Sequence, residues 1–176
     1  ALTMVLRPQP SIALGLILMT ARRLGEGERI LRAGRWEGWG PVQMLGAHVT
    51  GKRLGVIGLG RIGCLVADAA IRLGMEATGF DPDITVEAAW SLPSQVRRAS
   101  SVADLVRSSD FVTVHVPLVD ATRHLIDATK LATMRHGAVL LNFSRVGIVV
   151  VGAAPGSMPV RQLGWFVCDF VEPALL

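Results

Sequence analysis

Charge is scarce in this chain of 176 residues: Asp, Glu, Lys and Arg make up 18% of it, against 51% hydrophobic residues. The mean hydropathy is +0.46. That composition excludes a disordered or low-complexity chain. Lysine is nearly missing, at Lys52 and Lys130 only, so the 18 basic groups that face 14 acidic ones, for a net +4, are almost all arginines scattered along the sequence. Nucleic-acid binding needs basic residues gathered on one face, so no nucleic-acid partner is expected. Cysteine is scarce too. Cys64 and Cys168 sit in apolar runs, and no metal-ligand spacing joins them to the four histidines. They read as reduced, buried thiols, and no metal is expected. The apolar run over 12–19 is too short to span a bilayer. Arg22 and Arg23 follow it, where a signal peptide would carry a small-residue cleavage site. No membrane partner and a cytoplasmic location are therefore the expectations.

Apolar content this high has another source, a parallel sheet whose strands are buried on both faces. Residues 11–31 read as one long helix covering a domain edge, with Ile12, Leu16, Met19, Leu24 and Leu31 near one face and Glu28 paired to Arg32. A connecting loop follows over 34–51, with Trp36, Trp39, Pro41 and several glycines. Strands and helices then alternate. Strands are predicted at 53–57, 75–80, 111–116, 138–142 and 164–169. Helices are predicted over 62–73 with Gly74 at its end, over 85–90, over 101–108 opening on the Ser101 and Asp104 capping pair, and over 128–134. Such alternation implies crossover connections, hence an α/β fold with a parallel sheet. Neither Ala1, inside an apolar segment, nor Leu176 has the form of a natural terminus, so a fragment of a longer protein is expected.

Four segments carry chemistry. Gly58, Gly60 and Gly63 form a GxGxxG motif between a predicted strand and a predicted helix. In that context the first glycine permits the turn, the second lets a pyrophosphate approach, and the third lets helix and strand pack closely. The helix start offers N–H groups and a positive dipole end to phosphates. Asp81 ends the next strand, where a carboxylate binds a ribose 2′-hydroxyl and repels a 2′-phosphate; NAD is expected over NADP. His115, before Val116 and Pro117, closes a third strand, and its spacing fits a pocket residue and a structural histidine equally. Arg145, after Asn142, Phe143 and Ser144, closes a fourth. It is either a surface charge or a bidentate carboxylate ligand. The fold expected is a Rossmann-type doubly wound sheet in three layers, with an N-terminal linking helix and loop over 1–50, packing on the domain or dimer interface, and the nucleotide-binding domain over 51–176.

These stretches, with the motifs over 51–63, 109–117, 122–126, 137–142 and 169–173, resemble in order and spacing the NAD-binding domain of the D-isomer-specific 2-hydroxyacid dehydrogenases. Residues 36–63 are most similar to glyoxylate and hydroxypyruvate reductases, and 140–145 and 167–170 to some phosphoglycerate dehydrogenases. The resemblance implies hydride transfer between NAD(H) and a small 2-hydroxy or 2-keto acid. It implies that Arg61 and Ile62 hold the pyrophosphate with the glycines and that Asp81 binds the adenosine ribose. Pro117 and Thr122 would line the cleft beside His115 and Val116, with Phe143, Ser144 and Arg145 beside the nicotinamide and Asp169 near its carboxamide. Arg145 would also be catalytic, orienting the substrate. A homodimer through the 11–31 helix is implied too.

The chain also departs from that family. The segment that builds most of the substrate-binding half is absent, Ala174 stands where the catalytic Glu falls, and the catalytic His would lie beyond Leu176. Val150 replaces an expected Asp, and Pro155, Gly156 and Pro159 interrupt an expected helix. Residues 146–163 are thus expected to be remodelled or decayed, the last strand to dock poorly, and the chain alone to be inactive. Two other readings remain: a non-catalytic NAD-sensing or partner-binding module, and a truncated gene product without a function of its own.

Overall fold

A computed structural model describes residues 10–150 and 163–168. Six strands form one sheet: β1 (Arg53–Ile57), β2 (Glu76–Phe80), β3 (Arg97–Arg98), β4 (Phe111–Val114), β5 (Ala138–Asn142) and β6 (Leu163–Cys168). All neighbours are parallel, in the order β3-β2-β1-β4-β5-β6. The helices are α1 (Ser11–Ala21), α2 (Leu24–Arg32), α3 (Arg61–Arg72), α4 (Val86–Ser91), α5 (Val102–Ser108) and α6 (Ala128–Thr133).

Strand periodicity sorts the core into two halves. Leu54, Val56, Phe111, Val139 and Leu141 point to one side, where Ala13 and Ile17 of α1 and Val66, Ala67 and Ala70 of α3 cover them. Ile57, Val112, Val114 and Leu140 point to the other, against Leu105 and Val106 of α5 and Leu131 of α6. This is the three-layer doubly wound arrangement read from the sequence. Helix starts follow their capping residues: Ser101 Oγ accepts from Asp104 N at 3.1 Å, Asp127 Oδ1 from Lys130 N at 2.8 Å, and Thr85 Oγ1 from Ala88 N at 3.2 Å. Gly74, with φ +80°, follows α3 as predicted.

At the amino-terminal end of the sheet, Asp110 Oδ2 accepts from Arg53 N at 2.9 Å. The same carboxylate pairs with the guanidinium groups of Arg53 at 3.8 Å and Arg135 at 3.1 Å. It binds the starts of β1 and β4 to the segment entering β5.

Three expectations need correction. The single helix over 11–31 is two. Arg23, in the left-handed region at φ 55°, separates them and is held by a two-pronged bond to Glu26 at 2.8 and 2.7 Å. The buried face is also a different one. Ala13, Ile17, Thr20 and Ala21 pack inward, while Ile12, Met19, Leu24 and Leu31 are exposed, because α1 is apolar around its circumference and the small residues allow the closest approach to α3. Finally, the last strand docks. β6 pairs with β5 from Ala138↔Leu163 to Asn142↔Cys168, with one irregularity between Ala138 and Val139. Such pairing is made by backbone groups, so it tolerates an altered preceding sequence. Ile148 and Val149 are also buried, and Val149 bridges to Ile126. The glycine and prolines at 155, 156 and 159 lie outside the described residues.

Among the described residues no helix is long and apolar enough to cross a membrane. Ile17 is fully buried between α3 and the sheet, so Ile17→Ala lowers the unfolding free energy by about 2–5 kcal/mol in a urea titration. Trp90→Ala, at a side chain 86% exposed, changes it by no more than about 0.5 kcal/mol.

Candidate functional site

The carboxyl ends of β1, β2, β4 and β5 meet on one edge of the sheet, and the glycine loop lies at their centre. Each glycine is there for a different reason. Gly58 has φ +90°, and a Cβ on it would lie 2.6 Å from the His115 carbonyl oxygen. A Cβ on Gly63 would lie 1.9 Å from the Gly58 carbonyl oxygen, so any side chain there would push α3 off the strand end. Gly60 faces open space, with no atom within 4 Å of where its Cβ would stand. It precedes α3, and its carbonyl accepts from Cys64 N at 3.0 Å. A phosphate can approach that bare backbone and the free N–H groups at the helix start. Arg61 and Ile62 are exposed in the first turn.

Asp81 follows β2. Its Oδ2 accepts from Leu59 N at 2.8 Å and its Oδ1 from Asp83 N at 3.0 Å. Each oxygen keeps lone-pair capacity for a sugar hydroxyl. A cavity of about 290 Å³ adjoins it, lined among others by Leu59, Gly79, Pro82, Arg97 and Arg98. The two arginines of β3 went unread, because a two-residue strand has no apolar run. Arg97 reaches Glu76 at 3.5 Å.

The other half of the site stands on β4 and β5. β4 ends at Val114, two residues short of the prediction, and His115, Val116 and Pro117 lead into the loop above it. The His115 Nε2 lies 2.9 Å from Thr113 Oγ1, and its ring stacks on Phe143 with centroids 6.2 Å apart and planes at 19°. Burial lowers its pKa to about 4, so the ring is neutral at pH 7. Thr122 Oγ1 donates to the Pro117 carbonyl at 2.6 Å and accepts from Val119 N at 2.9 Å, which folds the loop back on itself. Ser144 is buried, with its hydroxyl between Val114 and Val116. Arg145 is exposed, and its Nη1 donates to the Ser144 carbonyl at 2.8 Å. Asp169 lies outside the described residues. Asn142, which the sequence reading passed over, holds this loop: its Oδ1 accepts from Ser144 N and its Nδ2 donates to the Arg145 carbonyl, both at 3.1 Å. An Asn two residues before a Ser at a strand end is an Asx-turn signal that could have found it.

Cys64 is buried as expected, its thiol 3.0 Å from the Leu59 carbonyl and its pKa raised, chiefly by burial. Among the described residues no group of three His, Cys, Asp or Glu could hold a metal. A second cavity, of about 280 Å³, opens at the opposite end of the strands beside Lys52, Asp110 and His136, and none of the described predicted site residues lines it.

A glycine loop joining a central parallel strand to a helix, with a carboxylate closing the next strand, defines a dinucleotide-binding domain of the doubly wound class. The chain belongs to the D-isomer specific 2-hydroxyacid dehydrogenase family: residues 14–174 match its NAD binding domain. It is 40% identical over 161 residues to a glyoxylate reductase of Aeropyrum pernix, covering 89% of this chain and 46% of that protein. It is 37% identical over 138 residues to a D-3-phosphoglycerate dehydrogenase of Methanocaldococcus jannaschii, covering 78% of this chain and 25% of that one. The D-lactate dehydrogenase of Aquifex aeolicus, solved with NAD and lactic acid, superposes with a TM-score of 0.78 at 24% identity, over 94% of this chain and 49% of that one; that likeness is one of fold. The chain thus spans less than half the length of each of these proteins.

The His115 environment sets a pH dependence. The unfolded chain takes up a proton on this ring near pH 6.5, whereas the folded chain does so only near 4. The contribution to stability is therefore complete above pH 6.5 and is lost as pH falls toward 4. A ring titration by NMR is expected to give a midpoint near 4. Over the same interval the wild-type chain loses stability relative to His115→Asn.

Proposed function

We propose that this chain binds NAD(H) across the carboxyl ends of β1, β2, β4 and β5, as the nucleotide-binding half of an enzyme that interconverts a small 2-hydroxy acid and its 2-keto acid. The observation that carries the reading is the junction of the glycine loop with Asp81, in which Leu59 N, inside the loop, is bonded to the carboxylate beyond β2. In this reading the bare backbone of Gly60, with Gly58, Gly63, Arg61 and Ile62, takes the pyrophosphate. Asp81 takes the adenosine ribose. His115, Val116, Pro117 and Thr122 line the cleft, and Phe143, Ser144 and Arg145 flank the nicotinamide, with Asp169 near its carboxamide. NAD(H), when bound, supplies or accepts the hydride at the substrate's C2.

Arg145 is proposed to hold the substrate carboxylate with its planar guanidinium and to polarise the C2 oxygen. Its carbonyl bond to Asn142 supports this by fixing the backbone from which the side chain projects. Moving the hydroxyl proton requires a general acid or base. The reading assigns that role to no residue of this chain, since Ala174 stands where the family's Glu would be, so the 176 residues alone are proposed to bind NADH without turning over. Glyoxylate, hydroxypyruvate and 3-phosphoglycerate are the candidate substrates or products.

The division into a linking segment over 1–50 and a nucleotide-binding unit over 51–176 belongs to this reading, as do a cytoplasmic location and a homodimer. The dimer is supported by apolar surface on α1, α2 and the following loop: Ile12 is 54% exposed, Leu24 55%, Leu31 59% and Trp39 84%.

The experiment is an NADH titration of the purified chain, followed by energy transfer from its four tryptophans, with NADPH as control. Saturable binding, tighter for NADH, is expected. Asp81→Asn keeps an acceptor for Leu59 N but removes the charge. It is expected to shift the NADH-to-NADPH preference by about tenfold toward NADPH. A folded chain that binds neither nucleotide would sink the reading.

A further inference from the structure

The last paired residues of β4 and β5 are Val114 and Asn142. Beyond them the two strands diverge into separate loops, yet the ladder gains one more connection from a side chain. Ser144 Oγ donates to the Val114 carbonyl at 2.9 Å and accepts from Val116 N at 2.9 Å. One hydroxyl thus bonds a backbone acceptor and a backbone donor at the neighbouring strand's exit. Ser144 is 6% exposed, and its only hydroxyl proton is already donated, so it has none to offer a ligand.

Ser144 is also held on its own chain. Asn142 Oδ1 accepts its N–H, Asn142 Nδ2 fixes the next carbonyl, and Arg145 Nη1 donates to the Ser144 carbonyl at 2.8 Å. On the outer side the Phe143 ring lies against His115. The two loops are therefore joined at the backbone by Ser144 and at the surface by the stacked rings.

Resting on the NAD(H)-binding reading above, we propose that Ser144 is a positioning residue and not a ligand. Its hydroxyl locks the loop that carries Arg145 to the loop that carries Val116 and Pro117, so the two walls of the nicotinamide half of the cleft move as one body. Ser144→Ala removes both bonds at once. A freed wall must then be ordered whenever a nicotinamide is bound, and that cost falls on NADH and not on a ligand that lacks the ring.

The test uses the whole 176-residue chain. Amide hydrogen exchange at Val116 reports the bond directly. Titrations with NADH and with ADP-ribose, which lacks the nicotinamide, report its consequence. In Ser144→Ala, Val116 exchange is expected to quicken by about tenfold or more and NADH affinity to fall by about five- to tenfold, within the range for two lost hydrogen bonds. ADP-ribose affinity should stay within about twofold, and Ser144→Thr, which keeps the hydroxyl, should restore NADH binding. Ser144→Cys is close in size with a weaker hydrogen bond. It should fall between wild type and Ala, and it carries the test if the Ala variant does not fold. An unchanged ratio of NADH to ADP-ribose affinity, with both falling together or neither moving, overturns the positioning role and leaves nucleotide binding intact. A wild-type chain that binds neither ligand takes down the NAD(H) reading and this proposal with it.

Discussion

The arrangement depends on one contact, the passage of Gly63 directly over the carbonyl oxygen of Gly58. A Cβ there would stand at 1.9 Å, so only a bare α-carbon lets α3 begin on the end of β1. With that contact made, the loop between them is short and its amides are displayed. Leu59 N meets Asp81, Gly58 N meets the Phe80 carbonyl at 2.9 Å, and the His115 carbonyl closes in behind Gly58. The ends of β1, β2 and β4 are thereby drawn together where the chain direction across the sheet reverses, the place where open α/β sheets receive their ligands.

Polar groups in this fold are used mainly to hold backbone. β1 is clamped at both ends by the same device: Asp110 accepts the Arg53 amide at its start, and Asp81 accepts the Leu59 amide just past its end. Asn142, Thr122 and Ser144 do likewise in the loops. Among the described residues no buried side-chain nitrogen or oxygen lacks a hydrogen-bond partner. The sparse charge of the sequence is consistent with this, since ion pairs such as Arg32 with Glu28 and Arg72 with Asp68 lie at the surface, where they contribute little to stability.

All the strands but β3 were legible because they are short, largely apolar runs between turn residues; β1 and β5 fall on their predicted bounds. The glycine loop and Asp81 were legible because a GxGxxG motif between strand and helix, with a carboxylate closing the next strand, is a compact local pattern. The faces of α1 were not, since a helix apolar all round carries no periodicity to read. The break after α1 was missed because Arg22 and Arg23 are ordinary helix formers, and the Arg23 bond to Glu26 that accompanies the left-handed turn leaves no mark in the sequence pattern. β3 carries arginines in place of apolar residues, so nothing marked it as a strand. The part played by Ser144 was hidden for another reason. It depends on Val114 and Val116, about thirty residues earlier, and no local pattern records such a pairing.

The position of β1 at the middle of the sheet has a consequence for how the molecule is made. Its partners are β2 on one side and β4 on the other, and the Arg53 to Asp110 bond closes a loop of 57 residues. A ribosome delivers β1 and β2 early, with α3 between them, so half of the glycine loop's surroundings can assemble before β4 exists. The other half waits for the crossover through α5. Non-local parallel pairings of this kind slow folding, because chain entropy is lost before the contacts form. During that interval the unpaired edge of β1 is an open template for another chain, and the rate at which Asp110 reaches Arg53 sets how long it stays open.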